Sequence, residues 1–372
     1  MDAKRRLRQY AVDVINRKRT GFIPWCLRII FRFISIFYWA GVSIRNWVYD
    51  QGWLCRFSPP VPLVISIGNI VAGGTGKTPA TLMLAKEFYN QFIVAILSRG
   101  YRSKAEHQQR PVCLSNGMGP LHRADVCGDE PYLMSEHLPH ALIYVGKDRH
   151  ASSIMAVQAG AQVIILDDGM QYRRLARDID IIVMDNNDLF GHGHFLPRGF
   201  LRESISSLNR AHLIIVNHIE NDEQLRLAQA RIAPYTQAPL VGTSAVSMGV
   251  KLFGSDEIIE LKGKKVALFC GIAHPEYFKK SIIEEGASVV AECHVGDHDE
   301  FTTNALENFA IQAQKSDAEL LICTEKDRVK LDANPKVALP VAWLQIEMKV
   351  ISGSGEWNTF IQKAKRDILK RI

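Results

Sequence analysis

Short apolar runs alternate with amphipathic stretches along most of this chain, the pattern of strands threaded between helices. Runs near 64–67, 92–97, 141–145, 162–166, 180–184, 212–216 and 239–243, mostly β-branched, predict strands. Helical patterns near 79–90, 130–138, 148–159 and 221–233 fall among them. That order predicts an α/β fold with a parallel, doubly wound sheet, because parallel strands are buried on both faces and joined by crossover helices. The chain turns more polar over residues 245–262, and a second α/β alternation follows. It predicts a strand at 266–270, a helix from Pro275, a strand at 288–294, a helix after Asp299, a strand at 319–323, a short helix and a strand at 339–345. The expected organisation is a lobe of residues 58–245, a smaller α/β lobe of residues 246–372, a cleft between them, and an N-terminal helical appendage over residues 1–57.

The appendage has a pattern of its own. Four of the six tryptophans (Trp25, Trp39, Trp47, Trp53) lie there, among Phe22, Phe31, Phe33, Phe37, Tyr38 and Tyr49. Its longest uncharged run, Phe33 to Ile44, covers ~18 Å as a helix, short of the ~30 Å hydrocarbon core of a bilayer. Arg28, Arg32 and Arg45 flank that run, and no small-residue cleavage site follows it, so a secretory signal fits poorly. Aromatic helices edged by arginines suit the bilayer interface, where the rings sit at headgroup depth. The alternative is a helix packed on the protein's own core with solvated arginines.

Charge sharpens this reading. The 372-residue chain carries a net +6, but residues 1–56 alone hold eleven Lys and Arg against three Asp. The remainder is therefore slightly acidic, and no nucleic-acid-binding surface is needed to account for the basic balance. The cationic arm of Lys4, Arg5, Arg6, Arg8, Arg17, Lys18 and Arg19 adds attraction to anionic lipid. Seven scattered cysteines without C-x-x-C spacing indicate neither a disulfide framework nor a zinc site, and a reducing cytosol is the expected compartment.

The richest local signal is Val64-Ile-Ser-Ile-Gly-Asn-Ile-Val-Ala-Gly73-Gly74-Thr75-Gly76-Lys77-Thr78-Pro79, a strand running through a glycine loop into a helix. Such loops turn backbone N–H groups inward around phosphate, and the new helix adds its positive end. Gly73, Gly74, Thr75 and Gly76 form the cradle. Lys77 reaches the β- and γ-phosphates, and Thr78 ligates the Mg²⁺ that bridges them. The first glycine of the full pattern is replaced by Val71. A nucleoside triphosphate is the expected ligand.

Further segments add candidate chemistry. Gln162-Val-Ile-Ile-Leu-Asp167-Asp168 is an apolar strand ending in two carboxylates suited to a Mg²⁺ shell, or equally a strand running into a turn. Gly128-Asp129-Glu130-Pro131 reads as a helix start with Asp129 at the N-cap, or as a carboxylate placed to act as general base. Gly296-Asp297-His298-Asp299 again resembles an N-cap, or holds an imidazole that relays a proton. In Pro197-Arg198-Gly-Phe-Leu-Arg202-Glu203, one arginine is placed to neutralise transferring phosphate, or both are solvated. Ser98-Arg99-Gly100-Tyr101 follows a strand end, where open α/β sheets bind ligands, and is a candidate acceptor contact.

Taken together, the segments SIGNIVAGGTGKTP, LSRGY, GDEP, LDDGMQY, PRGFLRE, GIAHPEYF, GDHDEF and CTEKD resemble the tetraacyldisaccharide 4′-kinase family, the lipid A 4′-kinases. The resemblance implies a P-loop kinase that uses ATP and Mg²⁺ to phosphorylate the 4′-hydroxyl of a tetraacylated glucosamine disaccharide 1-phosphate. It also implies residence at the cytosolic face of a bacterial inner membrane, peripheral or monotopic, with a lipid-linked substrate. By motif position it suggests Asp129 as catalytic base paired with His298, Lys77 and Thr78 on phosphates and metal, Asp167 and Asp168 as the carboxylate pair, and Arg202 as the loop arginine. Two departures stand out: Met170 and Tyr172 where the family has Phe and His, and Phe200 and Ser204 where it has Pro. Two other classes fit parts of the pattern. They are a membrane-associated regulatory NTPase and a soluble metabolite kinase; a GTPase is disfavoured, because Thr324-Glu-Lys-Asp has the wrong spacing for guanine recognition.

Overall fold

A computed structural model describes residues 3–255, 257–296, 301–331, 335 and 337–372. Two helices, α1 (Ala3–Ile15) and α2 (Phe22–Asp50), precede the first strand. The nucleotide-binding half follows as β1 (Leu63–Gly68), α3 (Lys77–Tyr89), β2 (Val94–Ser98), β3 (Val112–Asn116), α4 (Ala124–Cys127), α5 (Asp129–His137), β4 (Leu142–Val145), α6 (Arg149–Gln158), β5 (Val163–Leu166), β6 (Ile179–Asp185), β7 (Leu213–Asn217) and α7 (Asp222–Ile232). The rest comprises β8 (Leu240–Leu252), β9 (Ile258–Ile259), β10 (Lys265–Cys270), α8 (Pro275–Glu284), β11 (Ser288–His294), α9 (Thr303–Lys315), β12 (Leu320–Thr324), α10 (Glu325–Arg328), β13 (Val341–Ser352) and α11 (Ser354–Arg371).

These strands join one continuous sheet in the order β11-β10-β12-β13-β8-β7-β6-β1-β5-β2-β4-β3, with β9 beside β8. Pairing is parallel except where β13 and β9 flank β8 and where β3 closes the edge on β4. β1 is buried along its whole length, with Ser66 opposite Leu166 of β5 and Ile67 opposite Ile181 of β6. The chain builds outward from β1 to one side through β2, β4 and β5, then to the other through β6 and β7. The carboxyl ends of these strands therefore open at the point where strand order reverses, the place where such sheets bind ligands.

The segment expected as a polar join is strand. β8 runs thirteen residues through Leu252, and its second half, mostly half-buried, pairs antiparallel with β13. The position 245/246 thus falls inside β8. The last helix, α11, returns to the first half, packing Trp357, Ile361, Ala364 and Ile368 into the same core as Leu63 and Ile65 of β1.

α2 is one helix of 29 residues, much longer than its uncharged run, because Arg28, Arg32 and Arg45 sit within it rather than ending it. At ~1.5 Å per residue it spans ~43 Å. By length and composition it is apolar enough to cross a membrane, and little of it is buried against the protein. Phe37 is 76% exposed and Phe33 60%.

Candidate active site

The phosphate loop leaves β1 at Gly68 and enters α3 at Lys77. Gly76 caps that helix in a left-handed conformation (φ 89°), and a Cβ there would lie 2.5 Å from Asn217 Nδ2. Asn217, at the end of β7, donates to the Thr75 carbonyl across 3.5 Å. Asn69 donates to Thr75 Oγ1 at 3.0 Å, so the loop is held from both sides. Gly73 and Gly74 are exposed at its crest. A Cβ on Gly74 would lie 3.0 Å from Ala273, in the turn after β10, so the second half of the chain touches the loop directly.

Asp167 and Asp168 emerge from β5 beside β1, which brings them under α3. Asp167 is 4% exposed and accepts from Thr81 Oγ1 (3.3 Å) and Ser98 Oγ (3.1 Å). Burial pushes its carboxyl up to about 6, with Glu130 and Asp168 adding to the rise. Asp168 is its opposite. Burial would raise that carboxyl too, but the charges of Lys77 and Arg202 outweigh it and hold it down at about 2. Lys77 Nζ stands 3.9 Å from Asp168 Oδ1, and Arg202 forks onto both carboxylate oxygens, Nη1 to Oδ1 at 2.9 Å and Nη2 to Oδ2 at 3.1 Å. Arg202 also donates to Asn69 Oδ1 (3.1 Å), tying the carboxylate pair to the loop. Asp167 and Asp168 thus set two adjacent carboxylates under the phosphate loop, oxygen donors of the kind a hard cation takes.

Asp129 is the first helical residue of α5, one place later than expected: Gly128 is the cap, and its positive φ (95°) makes the turn out of α4. Its carboxylate is 11% exposed, and Lys326 and Lys330 approach Oδ2 at 3.9 and 3.7 Å. Glu130 next to it lies close enough to Asp167 for its charge to raise that carboxyl. The structure therefore brings Asp129 and Glu130 to the neighbourhood of Lys77, Asp167, Asp168 and Arg202. His298 lies outside the described residues; the helix beyond it is capped by Thr302, whose hydroxyl accepts from the Ala305 amide at 3.2 Å.

Ser98 is buried and spends its hydroxyl on Asp167, so it acts on the site from beneath. Arg99 pairs with Glu106 at 2.6 Å, and Tyr101 is exposed, with Arg102 over its ring. Met170 packs beneath Gly68, where a glycine Cβ would lie 2.4 Å from it. Tyr172 donates to Asp148 at 2.9 Å and accepts from the His150 amide, bracing the start of α6. Met170 thus serves packing, and Tyr172 serves the capping of a helix.

Several contributors are not legible in the sequence. Arg149, 5% exposed at the start of α6, donates to the Asp167 carbonyl (3.4 Å) and faces the Tyr172 ring at 5.2 Å. Glu203, fully buried, accepts from Arg45 (2.7 Å) and Asn46 (2.6 Å) of α2 and from Ser207 (3.3 Å). Arg173 donates to the Asn46 carbonyl at 3.1 Å and pairs with Asp50. The far end of α2 is thus bolted beside the residue that follows Arg202. The one available signal was the pair of polar side chains, Arg45 and Asn46, at the end of an otherwise apolar run.

A family model described as Tetraacyldisaccharide-1-P 4'-kinase matches residues 27–366. The chain belongs to the tetraacyldisaccharide 4′-kinase family. It is 34% identical over 365 residues to the tetraacyldisaccharide 4′-kinase of Syntrophus aciditrophicus (strain SB), covering 94% of this chain and 96% of that one. The tetraacyldisaccharide 4′-kinase of Anaeromyxobacter sp. (strain K) is 37% identical over 303 residues, 79% of each chain. Among solved structures, "apo" form LpxK from Aquifex aeolicus in complex with ATP superposes with a TM-score of 0.71 at 28% identity, over 91% of this chain and 99% of that one. The expected P-loop α/β fold and kinase class of this family member stand on those matches together with the loop geometry.

Proposed function

We propose that this family member transfers the γ-phosphoryl group of ATP to the 4′-hydroxyl of a tetraacylated glucosamine disaccharide 1-phosphate, giving the bisphosphorylated lipid A precursor. The observation that carries this reading is the bolting of an exposed apolar helix to a phosphate-binding site. Arg45 and Asn46 of α2 hold Glu203, and Arg202 beside it grips Asp168 under the loop. A soluble acceptor would need no such helix. A chain-bearing acceptor stays in the bilayer while its sugar reaches the site, and the long, exposed aromatic face of α2 suits the cytosolic membrane surface. The N-terminal cations favour anionic lipid there.

Within the site, the loop amides and Lys77 bind and orient the triphosphate. Asp129 takes the proton of the attacking hydroxyl, with His298 as its expected partner, while Arg202 neutralises charge on the transferring group. Thr78, Asp167 and Asp168 offer oxygen donors of the kind Mg²⁺ takes, and the raised Asp167 carboxyl fits a pocket that gains from a cation. When bound, that ion draws charge from the β- and γ-phosphates. Residues 1–57 serve the bilayer, the first half of the chain together with α11 carries the nucleotide, and the elements from β10 to α10 close over it. Arg99 and Tyr101 line the acceptor side, and Ser98 braces Asp167 from beneath.

Replacing Asp129 with Asn tests the base assignment. ATP binding persists and turnover drops by ~10³-fold or more. Normal turnover in that variant removes Asp129 from the role.

A further inference from the structure

α10 and the turn after it lie against α5, joining the second half of the chain to the first. Arg328 pairs with Glu136, and Glu325, 6% exposed, meets His137 Nε2 at 2.8 Å. These two pairs dock the far end of α5. At its near end the arrangement differs. Lys326 Nζ lies 3.1 Å from Glu130 Oε1 and 3.9 Å from Asp129 Oδ2, and Lys330 Nζ lies 3.7 Å from that same oxygen. Both lysine side chains are mostly buried, 19% and 10% exposed.

Their position is set by a rigid frame. Asp327 is 2% exposed and accepts from Thr324 Oγ1 (2.7 Å) and the Gly271 amide (2.9 Å), while its own amide donates back to Thr324 Oγ1 (3.2 Å). Lys330 also contacts Asp327 at 3.1 Å. A short helix fixed at its first turn, together with the turn after it, therefore presents two ammonium groups to one carboxylate oxygen. Enclosing two ammoniums is costly, and a surface pair contributes little stability. Docking alone does not account for it, since Arg328 and Glu325 already fasten the same helices.

We propose that Lys326 and Lys330 are positioning residues for phosphoryl transfer, holding the Asp129 carboxylate in its working orientation from the opposite half of the molecule. The proposal rests on Asp129 being the base. Asp129, Glu130, Asp167 and Asp168 bring four carboxylates to the region a triphosphate must enter. Lys77 and Arg202 offset Asp168, and the two lysines do the same for Asp129 and Glu130. Because the lysines sit on α10 and the turn after it, the base is oriented when the two halves are docked. The segment Thr324-Glu-Lys-Asp, unsuited to guanine recognition, thereby acquires a role, in which Thr324 and Asp327 build the frame and Lys326 uses it.

The test compares the full-length Lys326→Ala/Lys330→Ala variant with Arg328→Ala, which removes an ion pair from the same interface without touching Asp129. Readouts are kcat and KM with a tetraacylated disaccharide 1-phosphate in mixed micelles, ATP affinity, and thermal midpoint. The lysine variant loses ~10- to 100-fold in kcat with ATP affinity nearly unchanged, a loss of the size that misplacing a reacting group causes. Arg328→Ala keeps kcat within ~3-fold even where its thermal midpoint falls as far. Restoring the charge at both positions with arginine recovers part of the rate, and adding the lysine changes to Asp129→Asn costs nothing more. Equal losses in the lysine and Arg328 variants, or full kcat without the lysines, overturn the proposal. If Asp129→Asn is inactive and the lysine variant is unimpaired, the proposal alone fails. If Asp129→Asn turns over normally, the base assignment fails with it.

Discussion

Arg45 of α2 donates to Glu203 across 2.7 Å, and this contact joins the exposed apolar helix to the loop that carries Arg202. Glu203 is wholly buried, and its chain neighbour Arg202 holds Asp168. A carboxylate so enclosed is tolerated only while its donors stay in place. Glu203→Gln keeps the shape but strips the charge from a site faced by Arg45 and Arg210. We expect a loss of about 1–3 kcal/mol in unfolding free energy and a fall in kcat as Arg202 loosens. Calorimetry and steady-state rates on one preparation check both.

Asp167 has the opposite character, and its behaviour with pH follows from its sign. Its carboxyl is raised from the ordinary value of 3.8 to about 6, first by burial. The folded state then holds a proton that the unfolded chain releases between those values. Stability is therefore lost as pH rises through that window, and the deficit is complete above about 6. Asp167→Asn removes the deficit and raises the unfolding free energy at pH 7–8 by roughly 1–3 kcal/mol, with a shrinking gain towards pH 4. Denaturation curves across pH without nucleotide or divalent cation decide the matter; an equal gain at every pH contradicts it. The same variant is expected to lose turnover.

Arg202 binds Asp168 in a two-nitrogen fork, which lysine cannot reproduce. Arg202→Ala is expected to lower kcat by ~10²- to 10³-fold, and Arg202→Lys to recover only a minor part. Single-turnover rates at saturating ATP separate this loss from weakened binding.

Phe33, Phe37 and Ile44 project from α2 away from the protein. Changing all three to serine leaves folding stability nearly unaltered, since they bury little in the folded chain. Flotation with anionic vesicles should fall at least ~100-fold in partition coefficient, because each large side chain contributes ~1.5–3 kcal/mol on leaving water. Unchanged flotation would remove α2 from the membrane role.

The sequence discloses local features of this molecule far better than distant ones. The phosphate loop is legible because its glycines and Gly76-Lys77-Thr78 are contiguous, and β5 because four apolar residues precede Asp167. β3 escapes, being a short edge strand with polar and half-buried positions. β8 reads as a polar join because its second half is partly exposed and carries Ser, Gly and Lys. The extent of α2 is hidden by its arginines, which interrupt an uncharged run without interrupting the helix. Long-range ion pairs have no period to detect. Lys326 and Glu130 stand 196 positions apart, and Arg45 and Glu203 158, so neither link is visible before the chain is folded.

Whether this family member is a membrane-surface lipid kinase is decided by following labelled γ-phosphate from ATP. The reaction is run in mixed micelles holding a tetraacylated disaccharide 1-phosphate, beside a water-soluble sugar acceptor. The predicted result is label on the lipid at its 4′ position, none on the soluble sugar, and none anywhere with Lys77→Ala. Free phosphate without labelled lipid, or equal labelling of the soluble sugar, would contradict a membrane-surface lipid kinase.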